Sequence, residues 1–151
     1  MARDFPRLTE DLPLLECVRR LLENRMLGIP VVDAAGKYLG VFRKNLLIAE
    51  VLPQVARQDP RLERIARMID AGLLQETLAG VRSRFAPIAH EPVRLHMDVV
   101  APVLRPEQPL VAAMFYLFQG RNFLPVVEEK TCLLVGMVSA WDVLAHLIAR
   151  D

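Results

Sequence analysis

Two stretches of this chain read alike, and that likeness constrains the fold more than anything else in the sequence. Ile29-Pro30-Val31-Val32 and Leu124-Pro125-Val126-Val127 are short apolar runs with proline in second place. Each is followed by a polar turn and then a second apolar run around a glycine: Tyr38-Leu39-Gly40-Val41-Phe42 in one, Leu134-Val135-Gly136-Met137-Val138 in the other. Apolar runs on either side of such a turn predict a β-hairpin. Ahead of each hairpin, Pro13-Leu14-Leu15 and Pro109-Leu110-Val111 open segments with apolar residues at helical spacing. Their predicted apolar faces are Leu14, Val18, Leu21 and Leu22 in the first, and Met114, Phe115, Leu117 and Phe118 in the second. A further helix is predicted after each hairpin. The first carries Leu46, Leu47 and the apolar positions of 49–52 and is stopped by Pro53; the second carries Val143, Leu144, Leu147 and Ile148. Residues 12–52 and 108–146 therefore predict one unit twice, with a short strand ahead of each first helix. Pro30 to Gly40 is ten residues and Pro125 to Gly136 is eleven, so the copies match closely but not fully.

A three-stranded sheet covered by helices on one face cannot bury its other face alone. Two such units packed sheet to sheet about a pseudo-two-fold axis solve that, giving an α/β (α+β) fold with clefts between the halves. Clefts of that kind are where small ligands bind. The chain divides as a first repeat at 1–53, a helical insert at 54–95 and a second repeat at 96–151. In the insert, Asp59-Pro60 reads as a helix start, and Leu62, Ile65, Ile69 and Leu73 form an apolar stripe. Residues 73–81 predict a second short helix after Gly72, and the Pro- and charge-rich stretch 82–92 predicts a loop. Arg57, Arg61, Arg64 and Arg67 share one side of the first insert helix. They are either a solvated face with Glu63 and Asp70 nearby, or a docking surface for an acidic partner or for ligand phosphates.

Several classes are disfavoured. The 151 residues are 53% hydrophobic and 25% charged, a globular balance. No apolar run approaches the ~20 residues of a membrane helix. The N-terminal sequence has no apolar signal core, so a cytoplasmic location is expected. A formal net charge of +1 and an arginine stripe without interleaved aromatics argue against nucleic acid. Cys17 and Cys132 fall in apolar segments and read as buried, reduced thiols, while His90, His96 and His146 lack ligand spacing, so no metal is expected. No nucleophile–base set, Gly-rich phosphate loop or paired carboxylates suggest an enzyme.

The residues that do suggest chemistry stand where the last strand becomes the last helix. Ser139 and Asp142 sit beside unpaired backbone N–H groups, a suitable place for a ribose or a phosphate. Their spacing fits a helix cap equally well.

Ile29-Pro30-Val31-Val32-Asp33 with Gly36 and Leu39-Gly40-Val41-Phe42, and more closely Leu124-Pro125-Val126-Val127 with Gly136-Met137-Val138-Ser139-Ala140-Trp141-Asp142, resemble the core of the CBS (cystathionine β-synthase type) domain. The resemblance covers both repeats and leaves the insert outside. It implies a free-standing tandem pair, commonly a homodimer, that binds an adenosine-containing ligand such as AMP, ADP, ATP or S-adenosylmethionine between its halves and regulates a separate protein. The alternative is an interaction module that binds no nucleotide.

Carried onto this chain, the resemblance gives Ser139 to phosphate and Asp142 to the ribose hydroxyls. Pro6, Met26, Leu27 and Pro30 would form the facing wall. Met26 and Leu27 would cover adenine, unless they are core. Trp141 would stack on the base or pack against a dimer partner, in a place where related modules often carry a basic residue. That difference favours AMP or an adenosyl compound over a triphosphate. The other cleft departs further from the pattern. Arg43 replaces the hydroxyl, Leu46 falls at the aspartate position, and Asn45 serves only if the chain is locally shortened. Arg43, Lys44 and Arg121, with Asn122 and Pro125, hold a phosphate there or are plain surface charge.

Overall fold

The computed structural model describes residues 3–52, 61–72 and 77–149. The first repeat runs β1 (Leu8–Thr9), α1 (Leu14–Asn24), β2 (Gly28–Val32), β3 (Tyr38–Arg43) and α2 (Lys44–Val51). Between the repeats come α3 (Leu62–Asp70), α4 (Leu78–Phe85) and two 3-10 turns, Ala86–Ile88 and Val93–Leu95. The second repeat runs α5 (Leu110–Phe118), β4 (Phe123–Val127), β5 (Leu134–Ser139) and α6 (Ala140–Ile148). Its leading strand shrinks to a single parallel bridge between Leu104 and Val126, where the first repeat has β1 alongside β2 at Leu8 and Val31. Among the described residues no helix is long and apolar enough to cross a membrane.

The two hairpins share one register. Gly28 pairs Arg43 as Phe123 pairs Ser139, Val31 pairs Gly40 as Val126 pairs Gly136, and both ladders slip near the turn, at Val31/Val32 and Val126/Val127. Every residue of β2 is buried, which is why it reads as a continuous apolar run and not as an alternation. Pro30 has no N–H to give, and Val41 opposite it turns both backbone groups outward to Asp98, at 3.0 and 2.8 Å. The prolines therefore cost the ladders nothing.

Positions that correspond in the two repeats meet each other, as a two-fold axis requires. A Cβ added at Gly28 would stand 2.8 Å from the ring of Phe123, its counterpart. At the other end, Lys37 bridges Leu133, with Tyr38 N–H bonded to the Cys132 carbonyl at 2.9 Å and Leu134 N–H to the Gly36 carbonyl at 3.2 Å. Each half keeps its own core: Leu8, Leu14, Cys17, Ile29 and Phe42 anchor one, Leu104, Ala113, Leu124, Val126 and Val138 the other. The first is larger because Phe85, Ile88, Val93 and Met97 from the connecting segment pack into it.

Several local expectations are corrected. In α1, Cys17 is buried and Leu22 exposed, because the helix turns positions 14, 17, 18 and 21 inward. In α5 the inward side is Ala112, Ala113, Tyr116 and Leu117, while Met114, Phe115 and Phe118 face out. The loop expected over 82–92 is helical as far as Phe85. Thr77 Oγ1 accepts the Gly80 N–H at 3.0 Å and so sets the start of α4, and Phe85 and Ile88 anchor its end in the first core. Arg84 Nε bonds the Val51 carbonyl at 2.7 Å, tying α4 to α2. Cys132 is exposed, held at φ 61° in the second turn; only Cys17 is buried, and burial pushes its thiol up to about 12. Pro53, Arg57, the Asp59-Pro60 helix start and Leu73 lie outside the described residues.

Candidate functional site

Six residues singled out in sequence for one cleft, Arg43, Lys44, Asn45, Arg121, Asn122 and Pro125, line a single cavity together with Leu27, Ala101, Pro102 and Phe123. The fold brings them there by symmetry. Arg43 to Asn45 span the junction of β3 and α2, and Arg121 to Phe123 enter β4 across the axis. The cleft opens to solvent, and only about 40 Å³ of it admits a water centre. It holds a few waters as it stands, so a nucleotide must part its walls.

The two arginines of this cleft share a counter-ion that the sequence does not mark. Asp98, its side chain only 9% exposed, receives Arg43 Nη2 at 3.0 Å and lies 3.8 Å from Arg121 Nη1. Its other oxygen accepts the Val100 N–H at 3.0 Å. No motif marks Asp98; its backbone pairing with Val41 puts it there, and only tertiary structure shows that. Lys44 Nζ donates to Asn45 Oδ1 at 2.6 Å. Arg43 Nε is buried without a hydrogen-bond partner.

The two helix starts differ. At α6 the Ser139 N–H donates to Asp142 Oδ2 at 2.7 Å and the hydroxyl lies 3.3 Å from the same oxygen, so the pair forms a cap. At α2 the shared register aligns Arg43 with Ser139, Asn45 with Trp141 and Leu46 with Asp142, without any shortening. Asn45 therefore does not reach the aspartate position, and no side chain caps α2. The first of its N–H groups, that of Lys44, donates instead to the backbone carbonyl of Leu27 at 3.0 Å.

The wall expected opposite Asp142 is dispersed. Met26 packs on the first core, Pro30 is buried within β2 and Pro6 is half-buried. Leu27 lines the other cleft, because Gly28 sits on the axis against Phe123 and places the preceding residue beside the far side. Trp141 is exposed on α6. Among the described residues no group of three His, Cys, Asp or Glu is placed to hold a metal ion.

Two residues before Asp98, His96 locks the connecting segment in place. Its Nδ1 lies 2.6 Å from Glu50 Oε1 on α2, and its Nε2 2.8 Å from Glu91 Oε2. Partners separated by 46 and 5 residues leave no sequence signature. Burial pulls this imidazole's pKa down, but bonds and charge from Glu50 and Glu91 outweigh it, and the net shift is upward. A raised histidine pKa stabilises the fold fully below the unfolded value of ~6.5, and the contribution is lost as pH rises through the folded pKa. Melting temperature should therefore fall as pH climbs above that window. His96→Gln should flatten this slope; an unchanged slope would remove the clamp from the account.

With this geometry in place, the family is clear. The CBS domain pattern matches residues 1–52 and 93–149, and the chain belongs to the CBS domain family as a tandem pair. Among solved structures it is similar to protein MJ1225 from Methanocaldococcus jannaschii (19% identity, TM-score 0.69, 97% of this chain and 45% of that one). It is likewise similar to the CBS-pair protein CBSX2 from Arabidopsis thaliana (17% identity, TM-score 0.68, 95% and 86%). A structure of CBSX2 in complex with AMP matches at 19% identity and TM-score 0.64, over 95% and 87%. The chain spans about half the length of the archaeal protein and of a second one from Pyrococcus horikoshii, 45% and 51%. No curated protein sequence matches it at a significant level.

Proposed function

We propose that this chain is a regulatory module that binds an adenosine derivative between its repeats and, as a homodimer, acts on a separate protein in the cytoplasm without catalysing a reaction. The carrying observation is the cavity that Arg43, Lys44 and Arg121 line together, a setting suited to a phosphate. The AMP complex of CBSX2 lends support from a protein of the same fold. Asp142 keeps Oδ1 outside its cap, which favours Ser139 and Asp142 as a second, ribose-accepting position.

Titrating AMP, ADP, ATP and S-adenosylmethionine while following thermal unfolding tests this. A ligand at a hundred times its Kd adds about 2.7 kcal/mol. Arg43→Gln should lose that response if the basic cleft is occupied, and Asp142→Ala if the capped one is. Retention of the full response by the double variant would exclude both clefts.

The dimer has its own support. Val111, Phe115, Phe118, Trp141, Leu147 and Ile148 cover one exposed side of α5 and α6, with Phe118 89% and Ile148 84% accessible. Helix α5 carries no charge at all, and α6 only Asp142 besides His146. Together these side chains expose on the order of 1,000 Å², above the ~300–600 Å² patch of ordinary monomers and near the ~800 Å² each partner gives a stable interface. A face without charge is compatible with a second copy of itself across a two-fold axis. The insert favours this face, since α4 is bonded to α2 on the first repeat whereas α5 and α6 stay open.

A further inference from the structure

We infer that the cleft lined by Arg43, Lys44 and Arg121 selects its ligand by phosphate charge and does not discriminate ribose from deoxyribose. This deepens the proposal above and rests on it, since it concerns what a nucleotide in that cleft is recognised by.

The inference follows from a count of donors and acceptors. Donors are plentiful: two guanidinium groups, the Lys44 ammonium and the amides of Asn45 and Asn122. Charged acceptors are few among the described residues. The carboxylate beside the cavity is Asp98, whose Oδ2 serves Arg43 and Arg121 and whose Oδ1 serves the Val100 N–H. Asn45 Oδ1 is taken by Lys44. At the position where α6 presents Asp142, α2 presents Leu46, which accepts nothing. Three cations against one carboxylate leave the cleft two charges positive. A phosphate finds charged partners here in Arg43, Lys44 and Arg121. A pair of sugar hydroxyls finds no free carboxylate to accept its protons, so removing the 2′-hydroxyl forfeits little.

The test is calorimetric titration of the whole protein with AMP, dAMP, adenosine and inorganic pyrophosphate, repeated in Asp142→Ala so that the other cleft adds no ribose preference. The expected result is AMP and dAMP within about threefold of each other, adenosine weaker by at least about tenfold, and pyrophosphate displacing AMP. Binding should also weaken as salt is raised. Arg121→Gln should weaken AMP by about tenfold and leave adenosine unchanged, and it spares the closer Arg43–Asp98 pair should Arg43→Gln unfold the chain. AMP preferred over dAMP by tenfold in Asp142→Ala, or adenosine equal to AMP, would overturn this inference and leave nucleotide binding standing. If neither AMP nor dAMP binds at all, the proposed function fails in this cleft, and the inference fails with it.

Discussion

Gly40→Ala is expected to lower the melting temperature by roughly 6–12 °C, from a destabilisation of about 3 kcal/mol. A Cβ at position 40 would stand 2.8 Å from the Asp98 carbonyl oxygen and 3.2 Å from Met97 Sδ. The first obstacle is backbone and cannot swing aside. Relief requires the connecting segment to leave β3, which breaks both hydrogen bonds between Val41 and Asp98. Asp98 would then no longer sit under Arg43 and Arg121, so the variant should also alter the response to AMP. Gly28→Ala is the informative comparison. Its closest obstacle is also 2.8 Å away, but it is the edge of the Phe123 ring, which turns at modest cost. Thermal unfolding of the two variants side by side decides the matter. A loss below 2 °C for Gly40→Ala, or a larger loss for Gly28→Ala, would show that the strand contact does not hold the segment.

Phe118→Glu is expected to convert a dimer into a monomer with little change in the fold of each protomer. Phe118 is 89% exposed and touches neither core, so the substitution removes nothing from the folded chain. In an isologous dimer each protomer would bring its own glutamate into one apolar contact. Burying two unpaired carboxylates costs several kcal/mol, enough to weaken association by three orders of magnitude or more. Trp141→Glu on α6 should act in the same direction, while Leu22→Glu, also exposed but on α1, should not. Sedimentation velocity over a concentration series reads all three. A wild-type monomer at high micromolar concentration, or a dimer insensitive to both α5 and α6 variants, would dispose of this interface.

Much of the architecture was legible because it is written twice. The Pro-Val-Val runs, the paired glycines and the helices around them predicted a pseudo-symmetric pair, and the registers of β2–β3 and β4–β5 correspond residue for residue up to the turn. What could not be read was which apolar positions turn inward. α5 is apolar all round, so its spacing could not separate Ala113, which is buried, from Phe118, which is not. Arg43, Lys44, Asn45, Arg121, Asn122 and Pro125 could be grouped from the sequence, and they line one cavity. Their counter-ion could not be, because Asp98 arrives through a backbone pairing with a strand more than fifty residues earlier. His96, Glu50 and Glu91 were invisible for the same reason. Ser139 and Asp142 show the opposite case: the spacing was read correctly, and two roles compatible with it predict the same sequence.

Among the described residues the halves meet near the axis at Gly28 against Phe123 and where the hairpin tips bond through residues 36–38 and 132–134, and again where Val41 pairs with Asp98. The first two of these places define a line, and the clefts lie on either side of it. Any change in the angle between the halves must be absorbed first at these contacts.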